Sequence, residues 1–151
     1  MSIPKYFPLV GRALLSSIFL YAGINNLLTF SSTQQGIAAS GLIPPALAAP
    51  AVLGNVFCCI VGSLSLILGL KARWGAALLI IFLVPTTLLF HQFWADSAET
   101  IPFLKNMSLV GALIYVAYFG AGPVSLDARS TSSDVYSREY ASDPANRPIN
   151  R

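Results

Sequence analysis

The sequence predicts an all-α, membrane-embedded fold: a four-helix transmembrane bundle followed by a disordered C-terminal tail. Three observations lead there. Strongly apolar residues make up 55% of the 151-residue chain and charged ones only 10%, against roughly 25% charged in an average soluble domain. The apolar residues gather into four stretches, each close to the roughly 20 residues a helix needs to cross the hydrocarbon. The charges are displaced to one end, with seven ahead of residue 127 and eight in residues 127–151. This divides the chain into one membrane domain at 1–126 and a polar tail at 127–151.

The first span is expected at 10–28, with Lys5 before it and Arg12 near its start. Its apolar run exceeds the roughly 7 to 15 residues of a signal-peptide core, and the small residues Ala38-Ala39-Ser40 lie too far beyond it for cleavage. The connection 31–50 carries no charge. Its amphiphilic stretch 37–43 predicts a short helix along the membrane surface, ended by Pro44 and Pro45, since proline opposes continuation of a helix.

The second span is expected at 51–70. Gly62, Ser65 and Gly69 recur there at i, i+3 and i+7, a small-residue face that lets a neighbouring helix approach within the bundle. The third, 74–93, contains Pro85, whose missing donor predicts a kink, with Thr86 and Thr87 placed to bond the freed carbonyls. The fourth is expected at 107–124. All four are apolar on nearly every side, as helices facing lipid are. Tyr6, Tyr21, Trp74, Trp94 and Tyr118 fall near the expected ends, where amphipathic rings favour the headgroup zone. From Asp127 onward Ser, Asp, Asn, Pro and Arg dominate, a composition that buries too little apolar surface to order itself.

Orientation follows from the basic residues, which are retained on the cytoplasmic side. Lys5 with Arg12, Lys71 with Arg73, and Arg129 with Arg138 lie on one side of the expected spans. The other side has the uncharged first connection and a loop in which Lys105 is accompanied by Asp96 and Glu99. Both termini are therefore expected in the cytoplasm. The net charge of +3 is spread over single or paired residues, so no nucleic-acid surface is expected.

The scarce polar residues can be placed in depth from the helical rise of about 1.5 Å per residue. Measured from Arg12, Lys71 and Arg73, the side chains of Asn26, Asn55 and His91 lie roughly 21, 24 and 27 Å across. Asn25, Thr86 and Thr87 fall at similar depth, and Lys105 with Asn106 opens the fourth span from the same side. Thr87 and His91, four apart, share a helix face. Two readings remain open: the groups turn inward as a convergent cluster, because an unsatisfied amide in hydrocarbon costs several kcal/mol, or they sit where headgroups and water begin.

Several chemistries are absent. No pair of acidic residues lies inside a span, which argues against a proton relay or an ion-coupled transporter. One histidine cannot hold a haem from both sides or supply the ligand set of copper or zinc. Cys58 and Cys59 are adjacent in an apolar run, without metal-site spacing, and read as inert packing residues.

The pattern resembles the DoxX family of small four-helix membrane proteins. The matching pieces begin with Arg12, Leu14-Leu15, Phe19 and Gly23-Ile24-Asn25, then Gly41-Leu42-Ile43-Pro44 and Gly69-Leu70-Lys71. They continue with Phe90-His91-Gln92-Phe93-Trp94, Phe103-Leu104-Lys105-Asn106 and Gly120-Ala121-Gly122-Pro123-Val124-Ser125-Leu126-Asp127. Where the family often has a basic residue after the Gly-x-Asn of the first span, this chain has Asn26, so the anion contact of that group is not carried over.

The resemblance implies an integral protein of the bacterial inner membrane that accompanies quinone-linked redox proteins and has no redox centre of its own. It points to membrane or redox protein partners, no intrinsic cofactor and a quinone or lipid pocket in the outer leaflet. Asn25, Asn26, Asn55, His91 and Lys105 would donate to quinone carbonyls, Phe90 and Trp94 would pack on the ring, and Thr87 and Asn106 would complete the polar layer. The rival expectation is a membrane scaffold that binds protein partners through its helix faces and tail, without small-molecule chemistry.

Overall fold

The computed structural model describes residues 5–130, and the expected disordered tail from 131 onward lies outside them. Helix α1 spans Phe7–Leu28 and α2 Phe30–Ala39. After a single turn at Pro45–Leu47 come α3, Ala48–Leu68, and α4, Ala72–Phe90. A second short turn, Ser97–Glu99, leads into α5, Thr100–Phe119. Among the described residues there is no strand, and four helical segments are long and apolar enough to cross a membrane.

The hydrogen bonds between helix ends fix the topology. The start of α1 meets the end of α3, because Arg12 Nη1 donates to the Leu66 carbonyl at 2.9 Å. The end of α1 meets the start of α3, because Asn26 Nδ2 donates to Asn55 Oδ1 at 3.1 Å. Late α4 meets early α5 through Asn106 Nδ2 and Thr87 Oγ1, 3.0 Å apart. The long helices thus run alternately up and down, with α2 a short side helix packed on α3.

Leu66, Leu79 and Leu113, almost fully buried, mark the core of α3, α4 and α5. The small-residue face of α3 is used against α4: a Cβ on Gly62 would stand 2.6 Å from Leu79 Cγ, and one on Gly75 would meet Ser65. Gly69 serves differently, closing α3 at φ +63 in a three-residue reversal in which Lys71 also has a positive φ of 50. Gly23 admits Cys59, so that thiol fills the α1–α3 seam. Large apolar side chains such as Leu14, Ile81 and Tyr118 face outward, which suits a bundle whose solvent is lipid.

Four local expectations change. The helix of the first connection lies at Phe30–Ala39 and not at 37–43, because Gly41 at φ +69 ends the helical path before the prolines do. The last span lies five to seven residues earlier than 107–124, since Gly120 and Gly122 at φ +80 and +78 stop α5. Pro102 is tolerated in its first turn, where amides have no intrahelical acceptor. Thr86 and Thr87 donate to the carbonyls of Phe82 and Leu83, their own i−4 partners, so neither relieves the Ile81 carbonyl, the one that Pro85 deprives of an amide.

The fourth change concerns the end that holds the basic residues. Arg12 is no interfacial marker: it is only 3% exposed, and its guanidinium also reaches the Val124 carbonyl at 2.7 Å and the Pro8 carbonyl at 3.3 Å. Of its acceptors, Leu66 lies in the last turn of α3, where a cation also meets the negative end of the helix dipole. Asp127, expected to open the tail, belongs to the body. Its carboxylate accepts from the amides of Lys71 and Ala72 at 2.7 and 3.2 Å, capping α4 in place of a local side chain.

Candidate functional site

Two small cavities lie at the other end of the bundle, side by side. The first, about 200 Å³, is framed by α1, α2, α3 and α4 and holds Asn26 and Asn55 among apolar walls that include Val52, Phe82 and Phe90. Ile81 and Leu89, which also border it, are 69% and 39% exposed, so its mouth opens on the outer face of α4. The second, about 170 Å³, lies between α1, α3, α4 and α5 and contains Lys105 and Asn106. Asn55, Phe82 and Thr86 border both and form the partition.

The amide pair makes the first cavity chemically uneven. One hydrogen bond joins Asn26 to Asn55, and no other side-chain bond engages either amide among the described residues. Whichever way the amides are flipped, the pair retains an acceptor and donors beyond the shared bond. Thr86 adds a hydroxyl whose hydrogen goes to the Phe82 carbonyl but whose lone pairs are open. Ile81 and Pro85 both border the cavity, and the Ile81 carbonyl lacks its usual amide partner because proline has none to give. Residues carrying both donors and acceptors thus border the cavity together with its apolar walls.

The expected site residues separate into groups. Asn26, Asn55 and Phe90 border the first cavity, and Asn55, Lys105 and Asn106 the second. Thr87 is fully buried and accepts from Asn106, a bond that ties α4 to α5. His91 borders neither cavity: its Nδ1 lies 2.6 Å from Glu99 Oε2 and closes the loop between α4 and α5. Asn25 is exposed on the outside of α1 and Trp94 on the loop.

Sequence reasoning left Phe82, Ile81 and Glu99 out of the site. Phe82 and Ile81 precede Pro85 by three and four residues, so the proline kink was the available signal. Nothing in the sequence marked the His91–Glu99 closure, which depends on how the loop folds back.

The sequence profile of the DoxX family matches residues 7–92, which takes in every residue bordering the first cavity. The chain belongs to the DoxX family. Inner membrane protein YqjF of Escherichia coli strain K12 is 30% identical over 79% of this chain and 88% of its own length. Inner membrane protein YphA of the same strain is 31% identical over 80% of this chain and 88% of its own length. A Surfeit locus protein 4 homolog of Schizosaccharomyces pombe is 28% identical over 82% of this chain, a match that takes up 37% of that longer protein. No solved structure matches the chain. This DoxX protein is an integral membrane protein, with its four apolar helices in the bilayer.

Proposed function

We propose that this DoxX protein is an accessory subunit of a quinone-linked redox assembly in a bacterial inner membrane. It would keep both termini in the cytoplasm, carry no redox centre and hold the head of an isoprenoid quinone or lipid in the first cavity. The observation that carries the reading is the Asn26–Asn55 pair, an incompletely used amide couple at the edge of an apolar cavity with a lipid-side mouth. A volume near 200 Å³ is below the roughly 300–1,000 Å³ of sites that enclose a drug-sized ligand. Only a head group would therefore enter, while its apolar tail leaves past Ile81 and Leu89 into the bilayer.

The chemistry fits such a head. A quinone carbonyl needs a donor, which the amide pair retains, and a hydroxyl needs an acceptor, which Thr86 and the Ile81 carbonyl supply. Phe82 and Phe90 offer ring faces on the same cavity. The cytoplasmic assignment of the termini is supported by Lys71 and Arg73 in the α3–α4 turn, together with the charge-free first connection.

A photoreactive quinone added to the protein in membranes tests the site. Crosslinks are expected near the end of α1 and in the second half of α4, and unlabelled quinone should compete with them. Crosslinks confined to the Arg12 end, or insensitive to competition, would reject the assignment.

A further inference from the structure

The opposite end of the bundle carries a second arrangement, independent of the first cavity. The reversal between α3 and α4 takes only Gly69, Leu70 and Lys71, so Lys71, Arg73 and Trp74 are brought together where two spans end. Facing them is the chain after α5, which Gly120 and Gly122 turn back across the bundle end and which Arg12 holds through the Val124 carbonyl. Between the two walls lies a cleft of about 360 Å³. The Arg73 guanidinium lies along it, with Nε 3.4 Å from the place a Cβ on Gly120 would occupy.

The charges of this cleft are unbalanced. Lys71 and Arg73 are both exposed, and neither forms an ion pair among the described residues. The carboxylate that borders the cleft, Asp127, has its oxygens on the amides of Lys71 and Ala72. Two side-chain cations thus face one acid already engaged as a helix cap. Trp74 and Phe119, at 77% and 61% exposure, flank the opening.

From the same residues an apolar groove of about 520 Å³ starts along the outer surface of α3 and α4. It shares Lys71 and Trp74 with the cleft and runs past Leu68 and Leu64 to Val61 on α3 and to Leu78 on α4. Seven residues of helix separate Leu68 from Val61, so the groove descends roughly 10 Å from the span end toward the middle of the bilayer. That is the direction an acyl chain takes below its head group.

We propose that this cleft and groove form a binding site for one anionic glycerophospholipid. Its phosphate lies between Lys71 and Arg73, and one acyl chain follows the groove to Val61. Guanidinium matches phosphate oxygens with paired donors, and basic pockets between spans recognise anionic head groups. Trp74 and Phe119 border the ester level, where aromatic rings are favoured.

The test is native mass spectrometry of the full chain released from nanodiscs of equimolar phosphatidylglycerol and phosphatidylcholine. The expected result is one retained phosphatidylglycerol in preference to phosphatidylcholine. Arg73→Gln should lower that preference about fivefold, and Lys71→Asn, which keeps a residue tolerant of positive φ, by a similar factor. Val61→Trp, which fills the groove, should lower retention of both lipids. Equal retention of the two lipids by the parent, or an unchanged preference in the Arg73→Gln, Lys71→Asn double variant, would overturn the site. So would full competition by soluble glycerol phosphate, which would show that the cleft binds free phosphate and needs no chain.

Discussion

Arg12 and Asp127, at one end of the bundle, have their hydrogen-bonding groups matched by the protein, and the Asn26–Asn55 pair at the other end does not. Arg12 donates to the carbonyls of Leu66, Val124 and Pro8, Asp127 accepts from two amides of the α4 start, and its own amide returns to the Gly69 carbonyl at 2.9 Å. At the far end a single 3.1 Å bond joins two amides that retain further capacity, beside a carbonyl without its amide and a space of about 200 Å³. In hydrocarbon every polar group must find a partner. Where the protein supplies all of them, the result is a clasp. Where it stops short, the remainder falls to a ligand, a lipid or water.

The largest expected effect breaks the clasp. Arg12→Leu would leave the Val124 carbonyl without its charged donor and remove the side-chain bond to Leu66, at a loss of about 3 kcal/mol. Unfolding in mixed micelles with increasing dodecyl sulfate, followed by circular dichroism, measures it. A variant as stable as the parent would mean that the two ends do not differ as described.

Next in size is Gly69→Ala, expected to lose about 2 kcal/mol from its left-handed backbone and the collision with Arg12 and Ser125. Gly111→Ala is the control: among the described residues nothing lies within 4 Å of its added methyl, so helix propensity should leave stability unchanged or raise it by up to about 1 kcal/mol. The same unfolding assay ranks the pair.

A smaller change sharpens the other side. Asn26→Ala should shift stability by only about 0.6 kcal/mol, the usual worth of a hydrogen bond between spans. Quinone photolabelling at α4 should nevertheless fall about fivefold for the loss of one ligand hydrogen bond. If stability drops steeply while labelling holds, the amide pair is a strut and not a binding edge.

The smallest effect concerns Ser63, which is fully buried with a hydroxyl that has no partner among the described residues. Ser63→Ala should leave stability unchanged or raise it by about 0.5 kcal/mol, since no hydrogen bond is lost. A clear loss in the unfolding assay would reveal a partner for that hydroxyl.

One pairing in the candidate site could be read in one dimension. Counting rise from the basic residues brought Asn26 and Asn55 to similar depth, and the structure joins them. The same count could not distinguish Asn25 from Asn26. Neighbouring residues on a helix point about 100° apart, and only the packing of α1 on α3 turns Asn26 inward and leaves Asn25 outside. His91 illustrates a second limit, because its partner Glu99 lies across a loop whose course no periodicity describes. Asp127 illustrates a third: composition assigned it to the tail, yet a single carboxylate at the right place caps α4.

By itself the sequence determined the class of fold, the four apolar helices and the crowding of charge beyond them. Those features follow from composition and local spacing, and a bilayer accepts only segments that satisfy their own backbone. Tertiary structure alone decided which of the scarce polar groups would meet. The burial of Arg12 against two distant carbonyls, the shared wall of Asn55, Phe82 and Thr86, and the cleft between Lys71, Arg73 and Gly120 all join residues far apart in the chain. Their partners are set by how the helices rotate and slide against one another, and that depends on close packing at Gly23, Gly62 and Gly75. Hydropathy does not encode it.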